Sequence, residues 1–156
     1  MTTLQVADVR SFMNLLLLSD TFDSWGFQGA SVTSLTQYTI DGSINTDYLT
    51  EEERKARGDR GLLFSEFRSV LTAIIRSGRT PLRMSVILTC PEEMLGGHQS
   101  TTAGSYQMTI RFQDKSLKLI SGISIGSFST DRSDAVFWDS FLPAYLEKLH
   151  IEFTRL

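Results

Sequence analysis

Asp20 and Asp23 are the carboxylates whose spacing most suggests chemistry. In Asp20-Thr21-Phe22-Asp23 they follow an apolar run and could share one divalent metal or one proton. Aspartate also builds the turns that end helices, and that plainer role suits this position better. Asp41, next to Gly42, is accounted for by a hairpin turn. The imidazoles are His98 and His150. His98 lies in a glycine-rich stretch, 96–104, near Ser100 and Ser105, the ingredients of a hydrolase, but no Gly-x-Ser-x-Gly elbow accompanies them. His150 sits where a helix C-terminus favours a cation. Two histidines and Cys90 would need a further ligand to hold zinc, and their spacing follows no known zinc pattern. Cys90 is the single cysteine, which excludes an intrachain disulfide, and as the end of an apolar strand it reads as a buried, inert thiol. Gly122, Gly126 and Ser127 imitate a phosphate loop, yet Ile120 to Ile125 alternate as a strand does, and no Gly-Lys-Ser/Thr opens a helix after them. These residues imply no catalytic group, no metal and no cofactor. A small metal-dependent hydrolase using Asp20, Asp23 and His98 stands as the third reading.

The cations and leucines of two helices carry the other two. With Phe67 at a buried centre, steps of about 100° per residue turn Arg68, Ser69, Thr72 and Arg76 outward. Arg79 and Arg83 follow, so Arg68, Thr72, Arg76, Arg79 and Arg83 form a candidate surface for nucleic-acid phosphates. The equivalent outward positions of the first helix are Arg10, Ser11, Asn14, Leu15 and Leu18. Two leucines facing water each leave about 2 kcal/mol of burial unrealised. A cover is expected: the last helix, a second copy of the chain, or another protein. Arg10, Asn14, Leu15 and Leu18 are therefore the candidate partner-binding residues.

The elements that must position these groups are legible by period. Val9, Phe12, Met13 and Leu16 recur as a helix requires, as do Phe67, Val70, Leu71 and Ile74, with Asp8 and Ser65 as N-caps. Short apolar stretches, Leu4–Val6 and Leu62–Phe64, precede them as strands. Strands are expected at 27–35 and 37–40, with Asp41-Gly42 as a hairpin turn, and at 82–90, 105–112 and 117–128, the last two joined by a hairpin at 113–116. Thr50 caps a one-turn helix of Glu51, Glu52 and Glu53, and 54–61 reads as a mobile loop. Trp138, Phe141, Leu142, Tyr145 and Leu149 mark a final helix over about 133–149, capped by Ser133 and kinked or restarted at Pro143.

Residues 4–17 and 62–75 also align with each other in polar and apolar class, with Arg10-Ser11 over Arg68-Ser69. The fold class is therefore α+β, an internal duplication of a β-α-β-β-β unit over about 3–48 and 62–128, with two helices packed on antiparallel sheet. Two such consecutive units resemble one domain of the sliding DNA clamps. That resemblance implies paired helices on one surface and strands forming a shell. The strings Leu16-Leu17-Leu18-Ser19-Asp20-Thr21-Phe22-Asp23 and Tyr38-Thr39-Ile40-Asp41-Gly42 resemble a family of small uncharacterised bacterial proteins, which implies no activity.

Length and composition fit this picture. The 156 residues suit a single domain, and 41% hydrophobic with 21% charged residues excludes disordered and low-complexity classes. A net charge of −3 gives no bulk positive field. Asp8 and Asn14 interrupt the leading apolar run, and no stretch reaches the ~20 apolar residues of a membrane span, so a cytoplasmic protein without membrane contact is expected. The primary functional reading is a non-enzymatic interaction module that contacts a protein partner or itself, with nucleic-acid binding as the alternative.

Overall fold

In the computed structural model, residues 1–98, 103–125 and 131–156 are described, apart from the side chains of Ala103 and Ile125. Ser100, Gly126, Ser127 and the 126–128 end of the expected last strand lie outside the described residues.

Strand β1 (Thr3–Val6) leads to helix α1 (Val9–Leu18), then strands β2 (Gly26–Thr33) and β3 (Gln37–Asp41). Helices α2 (Glu51–Arg57) and α3 (Phe64–Ile75) follow, then strands β4 (Arg83–Thr89), β5 (Ala103–Gln113) and β6 (Ser116–Ile125). Helix α4 (Ser133–Lys148) and strand β7 (Phe153–Arg155) complete the chain, with 3-10 turns at Thr46–Tyr48 and Glu92–Leu95. The strands form one sheet in the order β3-β2-β4-β5-β6-β1-β7, with every pairing antiparallel. The architecture is mixed α+β.

Strand alternation decides which face is buried. Phe27, Ala30 and Val32 of β2, Met84, Val86 and Leu88 of β4, Tyr106, Met108 and Ile110 of β5, Leu117 and Leu119 of β6, and Leu4 of β1 are buried and share one face through the register. Helices α1, α3 and α4 supply Phe12, Leu16, Phe64, Leu71, Trp138, Leu142 and Leu146 against it. Aromatic rings link the helices at one end: Phe12 meets Phe22, Phe22 meets Trp25 edge-on at 5.5 Å, and Trp25 touches both Trp138 and Tyr145. The Trp138 indole N–H donates to the Gln107 carbonyl at 2.7 Å, fixing α4 on β5.

Several expectations need correction. Asp41-Gly42 is not a hairpin turn. The β2–β3 connection turns at Ser34 to Thr36, where the Ser34 N–H donates to the Thr36 carbonyl. Asp41 instead accepts from the Ser43 N–H and hydroxyl, closing a local turn after β3. The stretch 62–64 is no strand: a single bridge joins Leu63 to Gly26, and helix α3 begins at Phe64. Leu63, not Ser65, is its cap residue, and the Glu66 carboxylate reaches back to the Leu63 N–H. Helix α2 does not stop after one turn; a Thr50–Glu53 capping box starts it and it runs to Arg57, absorbing half of the expected loop. Arg132 rather than Ser133 caps α4, and Pro143 is buried inside an unbroken helix. The turn between β5 and β6 is as expected, with Asp114 and Lys115 both at positive φ (53° and 60°), the backbone a two-residue hairpin demands.

Candidate functional site

Helices α1 and α3 lie side by side. Asp8 starts α1, accepting from the Ser11 N–H and hydroxyl, and these bonds hold its carboxyl below the usual aspartate range. At the other end of α1 the free carbonyls are met from α3. Arg68 and Thr72 both approach the Leu17 carbonyl, at 3.5 Å. Arg68 also pairs with Asp23, Nε to Oδ1 at 2.9 Å. Asp23 is thus the counter-ion that fixes Arg68 against α1. Among the described residues, no group of three or more His, Cys, Asp and Glu is placed to hold a metal ion, so Asp20, Asp23 and His98 are not assembled.

The expected arginine surface is divided by this geometry. Arg68 and Thr72 turn toward α1, and Arg76 reaches Asn14 at 3.4 Å while remaining exposed. Arg83 precedes the inward Met84, so alternation places it on the opposite face of the sheet from the helices. The leucines divide as well. Leu15 is half-buried and lines a small cleft with Val6 and Phe12 and with Leu149 and Ile151 from the chain after α4. Leu18 stays 56% exposed, and Arg10 is exposed beside Asp8.

Where α1 and α3 meet the end of the sheet, an apolar cleft of about 430 Å³ opens. Val9, Met13 and Leu17 of α1, Ile75 of α3, and Pro81, Met84 and Phe112 line it, with Arg76 on the rim. A second cleft of about 430 Å³ shares Thr80, Pro81 and Phe112 with the first and adds Leu82, Arg83, Gln113, Asp114 and Lys115. The two form one groove running from the helices onto the β5–β6 turn. Leu82 is 69% exposed along it. Arg76 and Lys115 edge this apolar floor, against a single carboxylate, Asp114.

His98 takes part in a different arrangement. Asp134, in the first turn of α4, is 1% exposed. The Tyr106 hydroxyl donates to its Oδ1 at 2.7 Å, and His98 Nε2 stands 3.2 Å from the same oxygen. The His98 ring stacks on Phe137 with centroids 3.7 Å apart and planes 5° off parallel. A buried carboxylate needs such partners, and the cluster fixes the chain before β5 to the start of α4. His150 is exposed at positive φ just after α4. Cys90 is buried, and burial pushes its thiol up to about 12, with Glu93 adding to the shift, so it carries essentially no thiolate near neutrality.

A family model described as a family of unknown function (DUF5721) matches residues 15–154. The chain belongs to this family. Comparison with curated proteins and with solved structures finds no significant match to either. In this DUF5721 chain the match runs from within α1 to β7, so most of the groove and the whole His98–Tyr106–Asp134 cluster fall inside it. The expectation of an uncharacterised family agrees with that description. Sequence reasoning missed Asp134 and Tyr106, because an acid opening an apolar helix looks like an ordinary first-turn residue until its burial is seen. It also read Met13 as plain core and did not single out Ile75 or Phe112, whereas the end of α3 leaves all three facing a gap. Val70, placed on the apolar stripe of α3, is 47% exposed.

Proposed function

We propose that this protein is a non-enzymatic interaction module whose groove between α1, α3 and the β4–β5–β6 end of the sheet receives an apolar, acidic segment of a protein partner. The observation that carries this reading is the pairing of an apolar floor (Met13, Ile75, Pro81, Phe112) with a cationic rim (Arg76, Lys115). Apolar side chains of a partner would supply the burial, and its carboxylates would meet the rim and fix orientation. Arg76, first singled out for phosphates, thereby serves one end of the groove. Leu18 and Asn14 extend the same helix face toward a larger partner. The clamp-like, duplicated organisation and a cytoplasmic, bacterial setting belong to this reading too.

Random peptide display against the whole protein tests it. Enriched peptides should combine bulky apolar residues with Asp or Glu, and Ile75→Arg, which fills the groove from a half-buried position, should abolish their binding while the circular dichroism spectrum is kept. Arg76→Glu should weaken it at least tenfold, the worth of about 1.4 kcal/mol. Peptides of any other character, or binding indifferent to both substitutions, would remove the groove from consideration.

A further inference from the structure

We infer that the open face of the sheet is a docking surface for the phosphate backbone of duplex nucleic acid, centred on Arg111 and Lys118. The helices pack on one face only, so the residues between the buried ones look the other way. The register aligns them into a continuous row across all seven strands: Thr39, Ser31, Ser85, Arg111, Lys118, Gln5 and Thr154. Every member is polar and none is acidic. One adjacent row carries Gln37, Thr33, Arg83, Gln113 and Ser116, and the other Gly29, Ile87, Thr109, Ile120 and Thr3. On outward strand positions among the described residues the one carboxylate is Asp41, on the edge strand β3.

Arg111 and Lys118 stand directly opposite on neighbouring strands, where like charges repel. Arg83 is diagonal to Arg111, within about 7–8 Å. None of the three forms an ion pair with another described residue. A chain of net charge −3 has acids enough to neutralise them, yet pairs none with them among the described residues. An anion bound across the strands removes the repulsion between Arg111 and Lys118. The hydroxyls and amides of the row add neutral donors suited to phosphate oxygens. Aromatic side chains are absent from these outward positions: Tyr106, Phe112 and Phe153 belong to the inward set. Without a surface on which unpaired bases stack, a duplex contacted through its backbone fits better than a single strand. Recognition is therefore independent of sequence and sensitive to salt.

The test is fluorescence anisotropy of the full chain with a short labelled duplex of mixed sequence. Three phosphate contacts give a log–log salt slope of about −2.7, so affinity should fall about 40-fold between 50 and 200 mM salt. Arg111→Gln with Lys118→Gln should cut affinity at low salt at least tenfold and flatten the slope to about −0.9. Ser85→Lys, which lengthens the cationic row at a half-buried outward site, should tighten binding and steepen the slope by about one. No binding near 50 mM salt would overturn the inference, as would a double variant that binds like the parent. Poly-glutamate that competes as strongly as the duplex would also overturn it, assigning the face to acidic protein instead.

Discussion

At Gly42 the residue type is demanded by space, not by an unusual backbone angle. A Cβ built there would lie 2.4 Å from the Phe27 carbonyl oxygen and 2.6 Å from that of Gln28, both backbone atoms that cannot swing aside. The Gly42 N–H donates to the Gln28 carbonyl, which holds the chain this close. Gly42→Ala should therefore destabilise the protein by about 1–3 kcal/mol, the usual cost of forcing atoms into a filled site. Gly61→Ala, with nothing within 4 Å and no positive φ, serves as the control and should leave the urea midpoint nearly unchanged. An equal effect of both would deny the close approach its importance. The Asp41-Gly42 pair also marks where sequence reasoning reaches its limit. The dipeptide signals a reversal, but whether glycine is needed for a turn angle or for a neighbour distant in the chain depends on the fold. At Asp114-Lys115 the reverse holds: residues without a strong turn signature adopt the turn because the flanking strands are strongly alternating.

At the scale of elements, local signals and tertiary contacts contributed unequally. Helices α1, α3 and α4 and six of the seven strands were legible because each carries an apolar period over several residues. β7 was not, since three residues are too few to show alternation, and it exists by pairing with β1. The strand expected at 62–64 failed for a similar reason, as Leu62, Leu63 and Phe64 are apolar for either structure and Glu66 closes the helix start over them. The same Glu66 gives an element-level prediction. It pairs with Arg57 at the end of α2 and accepts from Leu63, and these contacts hold its carboxyl below the ordinary value of 4.5. A depressed carboxyl contributes stability above its unfolded value and loses that contribution as pH falls through its folded value. Glu66→Gln should thus cost about 0.5–1 kcal/mol near pH 7, because the pair is partly exposed. The difference from the parent should shrink as pH falls from the ordinary carboxyl range through the lower folded value of Glu66. Urea titrations of both proteins at several pH values measure this, and a difference that does not decline at all toward acid pH would show that the charge is not what joins α2 to α3.

The whole molecule is closed by contacts between the two ends of the chain. β1 lies between β6 and β7, so the first strand is held by two of the last three elements. The aromatic cluster spans the same distance in sequence: Phe12 packs on Phe22 and Phe22 on Trp25, which touches Trp138 and Tyr145 of α4. Whatever repetition relates 3–48 to 62–128, neither segment holds its own core. The leading segment needs α4 to bury Trp25, and the trailing one needs β1 to cover the edge of β6. That interdependence predicts one cooperative unfolding transition. Both tryptophans are essentially fully buried, so their fluorescence reports the cluster while far-ultraviolet circular dichroism reports the sheet and helices. In urea the two curves should superimpose, with one midpoint and one slope, as for other chains of this size. Trp138→Phe should shift both midpoints down together, since it removes the indole donor to the part-buried Gln107 carbonyl, at a cost of about 1 kcal/mol. Separate midpoints for the two probes would mean instead that the segments fold as independent units, and the shared aromatic cluster would then be a contact between them rather than the core of both.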